Sequence, residues 1–281
     1  MSRGKWSFKY LFQILLHLKS QFKKNELTAL GAQLSYYLIL SFFPFLILLI
    51  VLLNFTPLTE AQTIRQLSLI LPDEVFSLVT EILREISMGL NATLISFSGL
   101  GTIWAASRGT SALIKGLNKA YNVAESRPFW KLKIMGVLLT FALILMILIS
   151  LILLVFGQLI GYGIAYYLGL EEFFITVWDF VRYVFPLVFL FLVFSFFYII
   201  GPNEKLRFRD VYIGALFSTF GWIIISLAFS YYVNHYGAFS RLYGSIGAVI
   251  ALLIWLNISS LIVLIGGELN ATRLWAINGF K

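Results

Sequence analysis

The sequence predicts an all-α membrane protein, a polytopic helical bundle with six transmembrane helices and both termini in the cytoplasm. Three observations carry that prediction. Of 281 residues, 60% are hydrophobic and 12% charged, with a mean hydropathy of +0.90. Soluble domains run nearer ~45–50% apolar and ~25% charged, so this composition cannot furnish a wholly water-facing surface. The apolar residues fall in long blocks that leave little chain for a globular module. Finally, the basic residues gather in alternate connections, the asymmetry that orients a membrane-spanning chain.

Residues 1–26 read as a cytoplasmic interfacial segment. Between 5 and 24, bases alternate with Trp6, Phe8, Tyr10, Phe12 and Leu15, which suits a helix lying in the headgroup plane with its cations toward anionic lipid. A signal peptide fits less well: the apolar run 11–18 is broken by Gln13 and His17, and no small-residue cleavage site follows. Residues 27–272 form the transmembrane domain. Its six spans, about 27–53, 92–116, 134–160, 180–201, 211–233 and 244–268, are each long enough to cross ~30 Å of hydrocarbon at ~1.5 Å per residue. The second is the least apolar, because Ser107, Arg108, Thr110, Ser111 and Lys115 lie in it.

Residues 55–91 read as an external helical cap. Val75, Leu78, Val79, Ile82 and Ile86 recur at helical spacing opposite Ser77, Thr80, Glu81, Arg84 and Glu85, after a Pro72-Asp73-Glu74 start. Packing on the bundle is its expected role. Residues 273–281 form a cytoplasmic tail. Fifteen of the 21 Lys and Arg fall in segment 1–26, the second and fourth connections and this tail, with Lys115 at the adjoining end of the second span, which places those parts in the cytoplasm. Arg65, Arg84, Arg182 and Arg241 fall outside, and Arg108 falls within the membrane.

Polar residues inside the spans are the candidate functional groups, because they are costly in hydrocarbon. In the first span Gln33, Tyr37, Ser41 and Pro44 share about 80° of helical arc at ~100° per residue. They read as interhelical hydrogen bonding beside a proline kink, or as a stripe lining a path. In the second span, Lys115 and Lys119 lie within about 20° of Arg108 on the helix face, and the ladder covers ~16 Å of axis. The two lysines serve as ordinary cytoplasmic anchors on one reading. On the sharper reading, they lead an anionic headgroup toward the planar donor fork of Arg108. Near the cytoplasmic end of the sixth span, Glu268 is the expected carboxylate partner of Arg108, and Asn257 falls near the midplane. Gly214 with Ser218, and Gly157 with Gly161, are small pairs four apart that permit close helix approach.

Much chemistry is missing. With zero cysteines and two histidines, His17 and His235, thiolate catalysis, disulfides and most metal sites are unavailable. Gly244-Ser245-Ile246-Gly247 lacks the spacing of a nucleophile elbow, and no Walker loop, dinucleotide fingerprint or His-Glu-x-x-His occurs. No convincing internal repeat relates 27–160 to 180–268. The expectation is therefore no enzyme, no cofactor and no catalytic residue.

Several motifs carry a resemblance. They are Ala32-Gln33-Leu34-Ser35-Tyr36-Tyr37 with Ser41-Phe42-Phe43-Pro44, then Ala106-Ser107-Arg108-Gly109 with Gly116-Leu117-Asn118-Lys119-Ala120-Tyr121. A third group is Tyr243-Gly244-Ser245-Ile246-Gly247-Ala248 through Trp255 to Gly267-Glu268-Leu269-Asn270-Ala271. Together, over about 26–272, they resemble the bacterial YihY/BrkB family of inner-membrane proteins. The resemblance implies a polytopic helical protein of poorly defined activity, whose members have been labelled virulence factors and, historically, ribonuclease BN. The nuclease label conflicts with the residues, because two isolated histidines and short cytoplasmic loops offer neither a metal site nor an RNA-binding module.

The function expected from these observations is translocation of an anionic amphiphile, such as a phospholipid or lipid-linked intermediate. Arg108 would meet the headgroup, Lys115 and Lys119 would be entry steps, and Gln33, Tyr37, Asn257 and Glu268 would complete the site. The alternative is a membrane scaffold or regulator that transports nothing. Membrane lipids with anionic headgroups are the expected partners in the inner membrane, nucleic acid is not, and a homo-oligomer is compatible with the sequence.

Overall fold

A computed structural model describes residues 8–54, 92–169, 172–236 and 246–277. Among the described residues there are seven α-helices and no strand: α1 (Phe8–Lys24), α2 (Leu27–Asn54), α3 (Ala92–Ala120), α4 (Phe129–Leu168), α5 (Glu172–Ile200), α6 (Phe208–Tyr236) and α7 (Ile246–Ile277). The chain is an integral membrane protein, and its described residues are organised as helices. Stretches long and apolar enough to cross a membrane lie in α2, α4, α5, α6 and α7. Helix α3, with 29 residues, is long enough, but the Ser, Thr, Arg and Lys side chains noted in the sequence keep it less apolar. The segment 55–91, expected to form a cap, lies outside the described residues.

Each helix from α2 onward packs on the next, and α7 closes back on α2, so the six form a ring in chain order. Helix α3 also touches α7 across this ring, while α1 lies against α7 and α2. His17 of α1 stacks on Trp275 of α7 with ring centroids 5.0 Å apart.

Several helices outrun the apolar segments read from the sequence. The 40 residues of α4 extend on both sides of 134–160, and α7 continues to Ile277, five residues into the segment read as a tail. Hydropathy marks where side chains become polar, whereas the backbone ladder runs on until something caps it. In α4 the cap is Gly169, whose φ of 63° lets its N–H bond back to the Ala165 carbonyl.

The small residues make close contacts between helices. Gly214 and Ser218 of α6 face Gly266 and Asn270 of α7, where a Cβ on either glycine would collide with its neighbours. Asn270 Oδ1 accepts the Gly214 N–H at 2.7 Å, and the Tyr198 hydroxyl of α5 meets Ser218 Oγ and the Val263 carbonyl, each at 2.6 Å. Gly161 accommodates the Trp178 ring of α5 and Gly157 the Arg182 side chain, and the Trp178 indole N–H donates to the Gly157 carbonyl. Both small pairs therefore serve packing. The opposite faces carry exposed Phe180, Phe196, Phe220, Ile224 and Leu227, an apolar exterior suited to acyl chains rather than water.

The ends that the charge pattern assigned to one side do come together. Asn25 bonds Glu268, Lys119 bonds Glu26, Asn118 bonds Asn203, and Arg273 reaches the Arg209 carbonyl. The α1–α2 corner, the α3–α4 and α5–α6 connections and the end of α7 thus share one pole of the bundle.

Candidate functional site

At this pole lies an open cavity of about 730 Å³, lined by the α1–α2 corner, the second half of α3, the connection after it and the first turns of α4. Five cations line it: Lys24, Arg108, Lys115, Lys119 and Lys133. The sequence spacing explains the α3 members. Ala105, Ala112, Leu113 and Leu117 are buried on one side of the helix, which leaves Arg108, Ser111 and Lys115 on the exposed side and Lys119 partly so.

Lys24 and Lys133 arrive by another route. Pro128 starts α4, with the Lys131 and Leu132 N–H groups bonding its carbonyl, and the returning helix sets Lys133 across from the ladder. Lys24 ends α1, just before Glu26 adopts a φ of 54° to turn the chain into α2. Neither lysine stood out in the sequence, where both read as topology signals.

Glu125 is the acid among the lining residues, and its charge is already engaged. Arg127 grips it from Nε and Nη2 at 2.8 and 2.6 Å, and Asn118 Nδ2 donates to it at 2.7 Å. The Arg127 guanidinium beside Glu125 holds that carboxyl down at about 2. Arg127 also donates to the carbonyls of Ile200 and Gly201 at 3.1 and 2.7 Å, where a cation suits the negative end of α5. Asn203 completes the tie: its N–H bonds Asn118 Oδ1, and its amide bonds the Ala124 carbonyl and Ser126 Oγ. The wall of the cavity is therefore pinned by neutralised groups. Nearby, burial pushes the pKa of the Tyr121 hydroxyl up.

The expected pairing of Arg108 with Glu268 does not occur. Glu268 is 1% exposed and accepts from Asn25 Nδ2 at 3.0 Å, whereas Arg108 lies on the outer face of α3 with its guanidinium 5.7 Å from the Trp104 ring centroid. The reason is geometric. Glu268 faces the bundle interior, and the ladder side of α3 faces away from it. Among the described residues Arg108, Lys24, Lys115 and Lys133 form no ion pair, while Lys119 bonds Glu26 at 3.1 Å.

The other sequence candidates lie apart from the cavity. Gln33 is exposed on α2, Tyr37 is half-buried beside Gly109, and Asn257 makes a long 3.5 Å contact to Ser35 Oγ between α7 and α2. Glu268 reaches the cavity only through Asn25, which lines it. Among the described residues no group of three or more His, Cys, Asp or Glu could hold a metal ion.

The family model for virulence factor BrkB matches residues 18–278, a range that contains every residue of this cavity. The chain belongs to the BrkB family. A putative ribonuclease-like protein, YfkH, of Bacillus subtilis is 39% identical over 92% of this chain and 94% of its own. A UPF0761 membrane protein of Aeromonas salmonicida is 26% identical over 90% of this chain and 86% of its own. No solved structure matches. This BrkB-family chain is thus similar along nearly its whole length to relatives described as membrane proteins or, in the case of YfkH, as ribonuclease-like.

Proposed function

We propose that this protein takes the headgroup of an anionic amphiphile, a phospholipid or lipid-linked intermediate, from the cytoplasmic leaflet of the inner membrane and moves it across. In this reading α2 to α7 are six transmembrane spans and both termini are cytoplasmic, in keeping with the positive-inside bias. The observation that carries the reading is the gathering of five cations around one cavity whose lining carboxylate is already bound by Arg127. Such a site attracts anions, since Glu26 pairs with Lys119 and Glu125 with Arg127, and the other lining cations form no ion pair among the described residues.

Arg108 links this cavity to the lipid side of the protein. It lines the cavity while lying over Trp104, which is 52% exposed. An exposed guanidinium next to an aromatic ring suits the boundary between hydrocarbon and headgroups. Arg108 is the headgroup contact, and Lys115 and Lys119 are the steps between it and the cytoplasm. Gln33, Tyr37 and Asn257, on the α2–α7 side, would serve a later stretch of the route. Glu268 acts as a positioning residue, holding Asn25 at the cavity wall.

Reconstituted protein tests the proposal. Liposomes containing it are expected to move a fluorescent anionic lipid between leaflets faster than empty liposomes, and Arg108→Ala is expected to remove about nine tenths of that gain, the loss of one charge-assisted contact. Equal rates in protein-containing and empty liposomes, for anionic and zwitterionic lipids alike, would favour a non-transporting scaffold.

A further inference from the structure

The exposed face of α3 changes character along its length. Phe97, Leu100 and Trp104 are 80%, 69% and 52% exposed in its first half, and Arg108, Ser111 and Lys115 continue the same side in its second half. At ~100° per residue, these residues and Lys119 fall within about 100° of arc. The apolar part, from Phe97 to Arg108, covers ~16 Å of axis. One helix face thus offers a surface for a hydrocarbon tail leading directly into a cationic cavity.

The charge of that cavity points to a class of headgroup. Glu26 compensates Lys119 and Arg127 compensates Glu125, which leaves Lys24, Arg108, Lys115 and Lys133 as lining cations without an ion pair among the described residues. A phosphodiester headgroup brings one negative charge and would leave most of them unmatched. A phosphomonoester carries ≈ −1.5 to −2 at neutral pH and has three acceptor oxygens, and a lipid diphosphate is at least as highly charged. The donors also come from three separate elements, α1, α3 and α4, so they can surround a terminal phosphate on several sides.

Resting on the anionic-amphiphile reading above, we propose that the preferred ligand is a lipid ending in a terminal phosphate or diphosphate, with its headgroup among Lys24, Arg108, Lys115 and Lys133 and its tail along Phe97, Leu100 and Trp104. Singly charged phosphodiester lipids bind the same site more weakly. Lys24 and Lys133 are the specificity-determining residues, because they line the same cavity from α1 and α4 and supply the additional charge.

The test uses the full chain in phosphatidylcholine nanodiscs and measures binding of labelled phosphatidic acid and phosphatidylglycerol with identical tails. Phosphatidic acid is expected to bind at least about tenfold more tightly, a difference of ~1.4 kcal/mol. Lys133→Gln and Lys24→Gln should each erase most of that preference, and Lys133→Arg should keep it, which separates loss of charge from loss of fold. Trp104→Ala should weaken binding of the lipid while leaving competition by glycerol 3-phosphate unchanged. Equal binding of the two anionic lipids, both above phosphatidylcholine, would overturn the phosphomonoester preference and leave the anionic-lipid reading standing. If neither is retained above phosphatidylcholine, both ideas fall. Glycerol 3-phosphate competing as strongly as the whole lipid would make the ligand a soluble phosphate ester and remove the tail surface.

Discussion

Arg108 and Glu268, joined in the sequence reading, have different neighbours and should respond differently to mutation. Asn25→Ala would leave a buried carboxylate without its donor, at a cost of about 1–3 kcal/mol. Arg108→Ala removes an exposed side chain whose described contact is one aromatic ring, so its effect on stability stays within about 1 kcal/mol. Thermal unfolding in detergent checks both, and the opposite ranking would contradict the assignment. Glu125 gives a pH signature. Its folded pKa of about 2 lies below its ordinary value, so its stabilising contribution is complete above about pH 4.5 and is lost as pH falls toward 2. A melting-temperature profile should therefore decline through that window in the parent protein, and Glu125→Gln should lose part of the decline. The Arg108 ladder was legible in the sequence because helical spacing alone puts its members on one face. The Asn25 partner of Glu268 was not, since the two residues are 243 positions apart and either end of a polar span residue can find its partner through tertiary packing.

Helices α6 and α7 approach closely, and glycine permits it. A methyl group at Gly266 would run into Ser218 Oγ, the Tyr198 hydroxyl and the Gly214 carbonyl, all held by hydrogen bonds or by backbone. Gly266→Ala should therefore destabilise the bundle by about 1–3 kcal/mol as overpacking, whereas Gly169→Ala should act through its positive φ alone, with nothing within 4 Å to clash. Comparing the two variants by thermal unfolding, with flux measured on the folded fraction, separates contact from conformation. The Gly214 and Ser218 spacing already pointed to such a contact, and its partner helix could not be read from one segment. Helix ends were less legible for a related reason: apolar content reports the hydrocarbon-crossing part, while α4 and α7 continue well past it. Helix α3 shows the converse, because its polar residues weakened the hydropathy signal and also formed the cavity wall.

For the molecule as a whole, basic residues that read as orientation signals in the sequence also build the candidate site. Lys24, Lys115, Lys119 and Lys133 count as topology signals in the sequence, yet the ring of helices brings all four to one cavity with Arg108. That convergence depends on two turns through positive φ, at Glu26 and Asn122, and on the Arg127 tie between the α3–α4 connection and the end of α5. Composition and spacing could reveal the ladder but not its opposing wall. Gln33, Tyr37 and Asn257 illustrate the other limit, for a polar stripe on a single helix does not disclose whether it faces a cavity, a neighbour or the exterior. In the proposed function, this basic cavity receives the headgroup of an anionic lipid. Photo-crosslinking with an anionic lipid carrying its reactive group at the headgroup tests it most directly, with labelled peptides identified by mass spectrometry. The account predicts label concentrated between Arg108 and Lys133 and at the α1–α2 corner, and strongly reduced for a zwitterionic probe. Label spread evenly over the apolar exterior of α5 and α6, or equal for both probes, would contradict it.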